Sequence, residues 1–377
     1  MCAGRKNQRS KAIWLEHHWR WIVLAWTQAK GKRPKRKGPL SQSSISRFLS
    51  CFKPRYLAKL LTKYTRETFI DEWEGYVQKG KAKQAKRRKR KGHDGKRHRS
   101  GVNRFTYKPA KKKRPQYCMD GKARGGCISQ LTGRTEIDLT IYNPETSQIL
   151  GHQTLPDKVG EQTAAPGLIK SATAGLPLGF FTGDAGITSP NVISEIRRLG
   201  HSYIFAIKGN AGQVYDTVTT YDWGEVEDKD MFFSEGHGRR EIRTIQSVLV
   251  EEFESDDFDK YEDVSIIFKV TADILHVKTD KFTTETRFFI GDDAAADLSH
   301  HEAITYIREH WEQESYHWTK DVVLGEDGCP TKNSNGSQTL GLVRAAVVKV
   351  GRTLFGSVQT FTDHFSSNPE RLYGKRL

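Results

Sequence analysis

The chain has 377 residues, a formal net charge of +16 and a hydrophobic content of 36%. This length favours two or three domains, and the apolar content excludes a disordered chain. Five scattered cysteines form no CxxC pair, which argues against a zinc ribbon or a redox dithiol and fits a reducing cytoplasm. The apolar run at 21–26 is too short to span a bilayer, so no membrane partner is expected. Because cationic side chains that neutralise phosphates release counterions, the charge indicates a polyanionic partner. The alternative is a basic tail that only aids solubility.

Residues 1–78 are predicted to form a helical region. Apolar residues recur at three- and four-residue spacing between Trp14 and Ala25. Ser43 or Ser44 can cap a second helix that places Arg47 on its polar face. Short helices with basic outer faces are typical of a helix-turn-helix DNA-binding unit, although an ordinary helical bundle is an equal alternative.

Residues 79–116 are predicted to be a basic linker. Twelve of the 21 residues at 79–99 are Lys or Arg, so this stretch cannot bury a core and should be disordered when free. It is expected to follow a DNA backbone or enter a minor groove, and a passive linker is the alternative.

A different rhythm begins at Tyr117. Three strand-like stretches, at 116–127, 135–143 and 149–156, precede a helix-like stretch. A strand that ends at Asp184, a short helix and a further strand follow. This order predicts an α/β fold whose catalytic domain is RNase H-like and comprises residues 117–213 and 300–355.

The intervening residues, 214–299, are predicted to form a β-rich insertion because three strand patterns are linked there by acidic loops. A long helix is expected from His300 onwards, and a final apolar helix ends near Phe355. Residues 356–377 are predicted to be a C-terminal tail.

Two aspartates stand where apolar strand patterns end. Asp120 and Asp184 are each followed by glycine or a small residue, which leaves space for a metal ion. Two metal ions about 4 Å apart can assist phosphoryl transfer, and Mg²⁺ prefers oxygen ligands. Glu314 lies on the helix after the insertion and would face them. For Asp184, a turn-forming role is the alternative.

Several motifs, in this order along the chain, resemble the DDE transposases of the H-repeat-associated family, which are bacterial insertion-sequence enzymes. MDGKARGG at 119–126 and FFTGDAG at 180–186 are similar to the first two catalytic blocks. LPDKVGEQTAAPGLI is similar to a stretch in which Glu161 takes the family position. GHGRREIR and REHWEQESYHWTKDVVLGED are similar to the later blocks. The resemblance extends from Cys118 to Phe355.

This resemblance implies metal-dependent cleavage at the ends of a DNA element and strand transfer into target DNA. It implies that Asp120, Asp184 and Glu314 are catalytic and hold Mg²⁺, with Mn²⁺ as an alternative metal. It also implies double-stranded DNA as partner and a homodimer in the synaptic complex. The third block departs from the family pattern at Gln313 and Ser315, and the interval to its His-Trp pair is one residue shorter. Glu312 is therefore the rival third carboxylate.

Basic side chains of the helical region, the basic run and these motifs are candidate DNA contacts, and for Lys208 the alternative is a solvated lysine at a strand end. They are Arg47, Arg87, Arg88, Lys89, Arg90, Lys122, Lys208, Arg239, Arg243, Arg308 and His310.

Three alternatives remain open at this point. The first is an RNase H-like nuclease that hydrolyses DNA without joining it. The second is a DNA-binding protein that has lost catalysis. The third is an RNA-binding protein, which would leave the carboxylate blocks unexplained. A bacterial cytoplasmic, nucleoid-associated location is expected.

Overall fold

The structure is a computed structural model of the chain. It describes residues 41–51, 53–91, 107–129, 131–157, 160–236, 238–328 and 334–367. The predicted helix around Trp14 to Ala25 lies outside these residues.

Two helices precede the sheet, α1 (Gln42–Cys51) and α2 (Pro54–Lys91). The prediction of a disordered basic linker is wrong for residues 79–91, because α2 continues through them. Ala, Lys, Arg and Gln are good helix formers, and no proline interrupts the run. Residues 92–106 are not described. The helices do not stand apart from the rest of the chain: Phe69 and Trp73 of α2 are buried in the main core.

The strands form one mixed sheet of nine, in the order β3-β2-β1-β4-β5-β9-β8-β7-β6. Their bounds are β1 Gln116–Ile128, β2 Thr135–Asn143, β3 Gln148–Leu155, β4 Phe180–Gly183, β5 Ser202–Ile207, β6 Lys229–Gly236, β7 Arg239–Leu249, β8 Val264–His276 and β9 Lys281–Asp292.

The remaining α-helices pack on the sheet or on one another. They are α3 Glu161–Thr173, α4 Pro190–Arg198, α5 Gln213–Thr220, α6 Asp293–Ala296, α7 His300–Glu309, α8 Glu312–Trp318, α9 Ser334–Phe355 and α10 Val358–Ser367. Short 3₁₀ turns occur at Gly209–Ala211, Val250–Phe253 and Asp256–Phe258.

The centre of the sheet follows the predicted order. β1, β2 and β3 form an antiparallel meander, and β1, β4 and β5 are parallel. The prediction that Asp120 ends its strand is wrong. β1 continues beside β2 past Asp120 to Ala123 and resumes its pairing at Ile128. The parallel pairing of β1 with β4 does end just before Asp120, at Met119 and Gly183.

The β-rich stretch at 214–299 extends the same sheet. β9 pairs antiparallel with β5, and β8, β7 and β6 follow outward. The sequence analysis predicted three of these strands and missed β6 and α5. β6 is hard to recognise because all of its residues are exposed or half-buried, so it lacks a marked apolar alternation.

Two predictions for the C-terminal part are corrected. The long helix expected from His300 is two helices, with a turn at His310 and Trp311 between α7 and α8. A π-helical segment, Thr319–Val323, follows α8 directly. The predicted tail contains α10, whose Phe361 and Phe365 are buried in an apolar cluster with residues of α9, so apolar burial stabilises this end of the chain.

In the described part of the chain, no helix is both long and apolar enough to cross a membrane.

Candidate active site

The central parallel strands bring two aspartates together. Met119 of β1 lies beside Gly183 of β4, and Asp120 and Asp184 are the next residues of each strand. Neighbouring strands are about 4.8 Å apart, so the two carboxylates are adjacent. Their proximity is visible in the electrostatics: burial, followed by the charge of Asp184, raises the pKa of Asp120 to about 7.

Asp120 is surrounded by further carboxylates. The charges of Glu161 and Glu314 also raise its pKa. One stabilising contact opposes them, because the Gly121 amide donates to Asp120 Oδ1 at 2.8 Å. Three acidic side chains, from the end of β4, α3 and α8, thus act on Asp120 of β1 at this edge of the sheet.

Glu161 is the member that sequence reasoning did not assign to the site. It is the first residue of α3 and is buried. Its Oε1 lies 2.0 Å from where a Cβ on residue 121 would be, so the carboxylate occupies the space left by Gly121. In the sequence, Gly121 directly after Asp120 indicated that another group approaches the strand there. The group that does so, Glu161, lies forty positions later and could not be identified from the motif.

Asp184 also makes the turn contact that was weighed as its alternative role. Its Oδ1 accepts from the Ile187 amide at 3.2 Å, and its carbonyl accepts from Thr188 Oγ1 at 3.0 Å. The side chain is nevertheless exposed, so the turn fixes a carboxylate that solvent can reach.

Glu314 and Glu312 face different surroundings on α8. The charge of Glu314 acts on Asp120, whereas that of Glu312 acts on Tyr142. Glu312 instead lines a separate groove that also contains Ser315 and Arg352. The geometry therefore favours Glu314 over Glu312 as the third carboxylate.

Gln313 anchors α8 to the sheet. Its side chain is fully buried, and Nε2 donates to Thr140 Oγ1 at 2.8 Å. The Thr140 hydroxyl in turn donates to the backbone carbonyl of Asp120 at 3.3 Å. Gln313, which departs from the family pattern, thus forms a hydrogen bond that orients Glu314 relative to Asp120.

Two histidines border the acidic groups and are neutral at physiological pH. Burial lowers the pKa of His310 to about 4, and its Nδ1 lies 3.1 Å from Thr182 Oγ1. His310 was predicted to contact DNA, and in the structure its imidazole lies against Thr182. Burial likewise lowers the pKa of His317 to about 3, and its Nδ1 lies 3.5 Å from Asp120 Oδ2.

The acidic groups do not form a ready-made metal cage. Among the described residues, no three carboxylate, imidazole or thiol groups are grouped so that they could hold an ion. The donors are nevertheless hard oxygens, which Mg²⁺ prefers. Burial, followed by the repulsion of the neighbouring carboxylates, raises the pKa of Asp120, and a divalent cation would offset this repulsion.

Lys122, which was predicted to contact DNA, is buried among carboxylates. Only 7% of its side chain is exposed, and Nζ lies 2.8 Å from Asp321, 3.1 Å from Asp327 and 3.5 Å from Glu326. These carboxylates follow α8, some two hundred positions later in the chain, so their pairing with Lys122 could not be read from the motif. Lys122 instead ties β1 to the segment after α8.

The other predicted DNA contacts lie at several places. Arg47 and Lys208 are exposed, Lys208 directly after β5. Arg87, Arg88, Lys89 and Arg90 lie within α2, and their side chains are outside the described set. Arg239, Arg243 and Arg308 line one cavity together with Glu314.

Residues 139–348, more than half of the chain, match the family model for the transposase DDE domain. The match includes Asp184 and Glu314 and begins after Asp120. Two similar proteins of Escherichia coli K12 are YbfL and YhhI, the latter named as a candidate H repeat-associated transposase. Each is 26% identical over 223 aligned residues, and the match covers 56% of this chain and 57% of the relative. The chain thus spans less than two thirds of these relatives.

A solved structure shows a weaker likeness. It is a piggyBac transposase in a synaptic complex with hairpin DNA, with a TM-score of 0.38 and 10% identity over 72% of this chain and 56% of that one. No conclusion follows from a likeness at that level.

Proposed function

Because the chain belongs to the transposase DDE domain family, we propose that it is an insertion-sequence transposase that cuts DNA at element ends and joins them to target DNA. The observation that carries the proposal is that Asp120 and Asp184 are adjacent on neighbouring parallel strands, and that the charge of Glu314 acts on Asp120 from a third element. Carboxylates from separate elements that approach one another are what metal-dependent phosphoryl transfer on DNA requires.

We assign the catalytic domain to the RNase H-like fold. The support is the antiparallel β1-β2-β3 meander followed by parallel β4 and β5, with Asp120 on the central strand. The strands at 229–292 would then be an insertion that enlarges the sheet before the chain returns to the site through α7 and α8.

Asp120, Asp184 and Glu314 would hold two Mg²⁺ ions, or Mn²⁺ ions. When bound, these ions would stabilise charge on the attacking and leaving oxygens of the reacting phosphate. The protein's own contribution is placement. β1 and β4 hold the aspartates side by side, and Gln313 holds α8 against β2. His317 borders the Asp120 carboxylate from α8.

We propose double-stranded DNA, both element ends and target, as the partner. The net charge of +16 supports this, and exposed Arg47, Lys208 and Arg239 are candidate backbone contacts, together with the basic run at 87–90. Two copies would act together, because two element ends must be handled in one event. Such a protein would work in the bacterial cytoplasm, at the nucleoid.

The test uses the full chain and DNA that carries the sequences flanking its own gene. One substrate is intact, and the other is pre-cleaved with a free 3′-hydroxyl. We expect Mg²⁺-dependent nicking of the first and joining of the second into plasmid DNA. Asp184→Asn should abolish both reactions, and Asp297→Asn, which changes an exposed carboxylate outside the site, should leave both unchanged.

The outcomes separate the alternatives. Nicking without joining would indicate a nuclease. DNA binding without either reaction would indicate a protein that has lost catalysis. Activity retained in Asp184→Asn would remove Asp184 from the site.

A further inference from the structure

A cavity of about 340 Å³ lies between the outer strands β7, β8 and β9 and the helices α7 and α8. The charged residues of its lining are four arginines, Arg239, Arg243, Arg287 and Arg308, and three glutamates, Glu241, Glu285 and Glu314. The guanidinium groups outnumber the carboxylates by one, and an anion that enters the cavity would balance this excess positive charge.

Arg308 differs from its neighbours in its partners. Arg243 forms an ion pair with Glu241 at 2.5 Å, and Arg287 pairs with Glu285 at 3.3 Å. Arg308 forms no such pair within the described residues, and its Nη1 is buried without a hydrogen-bond partner there. Burial and the charge of Arg243 lower its pKa. A buried donor with an unmet N–H is costly unless a ligand completes it.

Aromatic rings hold these arginines by their faces. Arg243 and Arg287 lie 5.7 Å and 5.1 Å from the Trp311 ring centroid, and Arg308 lies 4.2 Å from that of Tyr107. Stacking of this kind fixes a guanidinium while its N–H donors, which lie in the plane of the group, stay available for other partners. The planar donors of arginine match the oxygens of a phosphate.

We propose that this cavity binds one backbone phosphate of DNA, with Arg308 as its principal ligand. The proposal rests on the proposed function, since Glu314 lines the same cavity and the phosphate held there would flank the reacting one.

The test measures binding of a fluorescein-labelled 40-bp duplex of the gene-flanking sequence in EDTA, so that catalysis plays no part. Arg308→Gln should weaken binding about tenfold and reduce the log–log salt slope by about one. Arg308→Lys should keep the slope and weaken binding about threefold, because the charge remains but the planar fork is lost. The control is Arg198→Gln, an exposed arginine paired with Glu195, which should bind like wild type.

Single methylphosphonates, which neutralise one phosphate each, identify the ligand. A methylphosphonate at one position of the duplex should weaken binding by the wild type about tenfold and should not weaken binding by Arg308→Gln any further. Melting in EDTA separates binding from folding: a ligand-binding Arg308 predicts that Arg308→Gln is at least as stable as wild type.

An unchanged salt slope in Arg308→Gln, or the absence of a coupled methylphosphonate position, would overturn the proposal. If Arg308→Gln does not fold, then DNA binding by Arg308→Lys that is as tight as that of the wild type would overturn the proposal. Mg²⁺-dependent nicking by wild type, scored separately, shows whether the proposed function fails instead.

Discussion

The Glu161 carboxylate fills the space beside Gly121 that a side chain would otherwise occupy: its Oε1 lies 2.0 Å from the position of a Cβ there. Two residues forty positions apart thereby set the surroundings of Asp120, which precedes the glycine. Any larger residue at position 121 would have to displace that carboxylate.

Glu161→Gln should lower the pKa of Asp120 below its value of about 7. The substitution keeps the shape of the side chain and removes one of the charges that oppose ionisation of Asp120. A carboxyl ¹³C NMR titration in EDTA, with Asp120→Asn to assign the resonance, measures this. Glu195→Gln, which changes a carboxylate of α4 that pairs with Arg198, should leave the titration unaltered. An unchanged pKa in Glu161→Gln would place Glu161 outside the acidic group.

Asp120→Asn should make the metal-free protein more stable at pH 8 and inactive. The folded-state pKa of Asp120, about 7, lies above its ordinary value of 3.8. The folded state thus binds the extra proton between these values, and wild-type stability falls as pH rises through this window. The difference would be on the order of 4 kcal/mol above pH 7 and vanish below pH 4. Urea unfolding in EDTA at both pH values checks this, and equal stability at pH 8 would contradict it.

Glu314→Gln should reduce Mg²⁺-dependent nicking about a thousandfold, while Glu312→Gln changes it less than threefold. Loss of a metal ligand removes several kcal/mol of transition-state stabilisation. The two glutamates are two residues apart on one short helix, so each variant is the matched control for the other. Initial rates of nicking of the intact substrate measure both effects. A larger loss in Glu312→Gln than in Glu314→Gln would make Glu312 the third carboxylate.

Lys122→Met should destabilise the fold by about 1–3 kcal/mol. Asp321 and Asp327 lose their cation, whereas the buried Glu326 keeps Lys320 and Arg344. The DNA affinity of the folded fraction should stay within twofold of wild type. Urea unfolding and anisotropy measure the two quantities. A loss of affinity at unchanged stability would restore Lys122 as a DNA contact.

The buried contact between Gln313 and Thr140 should appear as coupling in a double-mutant cycle. Gln313→Leu alone should lower the free energy of unfolding by about 1–3 kcal/mol, because the buried Thr140 hydroxyl oxygen loses the donor of its hydrogen bond. Adding Thr140→Val should cost less than the sum of the two single changes. Unfolding free energies of the four proteins provide the measurement, and strict additivity would argue against the contact.

The elements around the site were predictable because their signals are local. Alternation identified β2 and β3, and the apolar run before Asp184 identified β4. The contacts of Lys122 and Glu161 were not, since each depends on a residue far away in sequence. The break at His310 was missed because no proline or glycine marks it. The extension of α2 through Lys91 was missed because a high density of positive charge was taken to indicate disorder, although Lys and Arg are themselves good helix formers.

The pairing of β9 with β5 has a mechanical consequence. These strands share backbone hydrogen bonds, and β5 pairs in turn with β4. The arginine-lined cavity on β9 and the Asp184 carboxylate after β4 are therefore separated by two strand spacings, about 10 Å. A module joined only by loops could swing to meet its substrate. Here the separation is a constant of the fold, and we expect the DNA to be the component that bends.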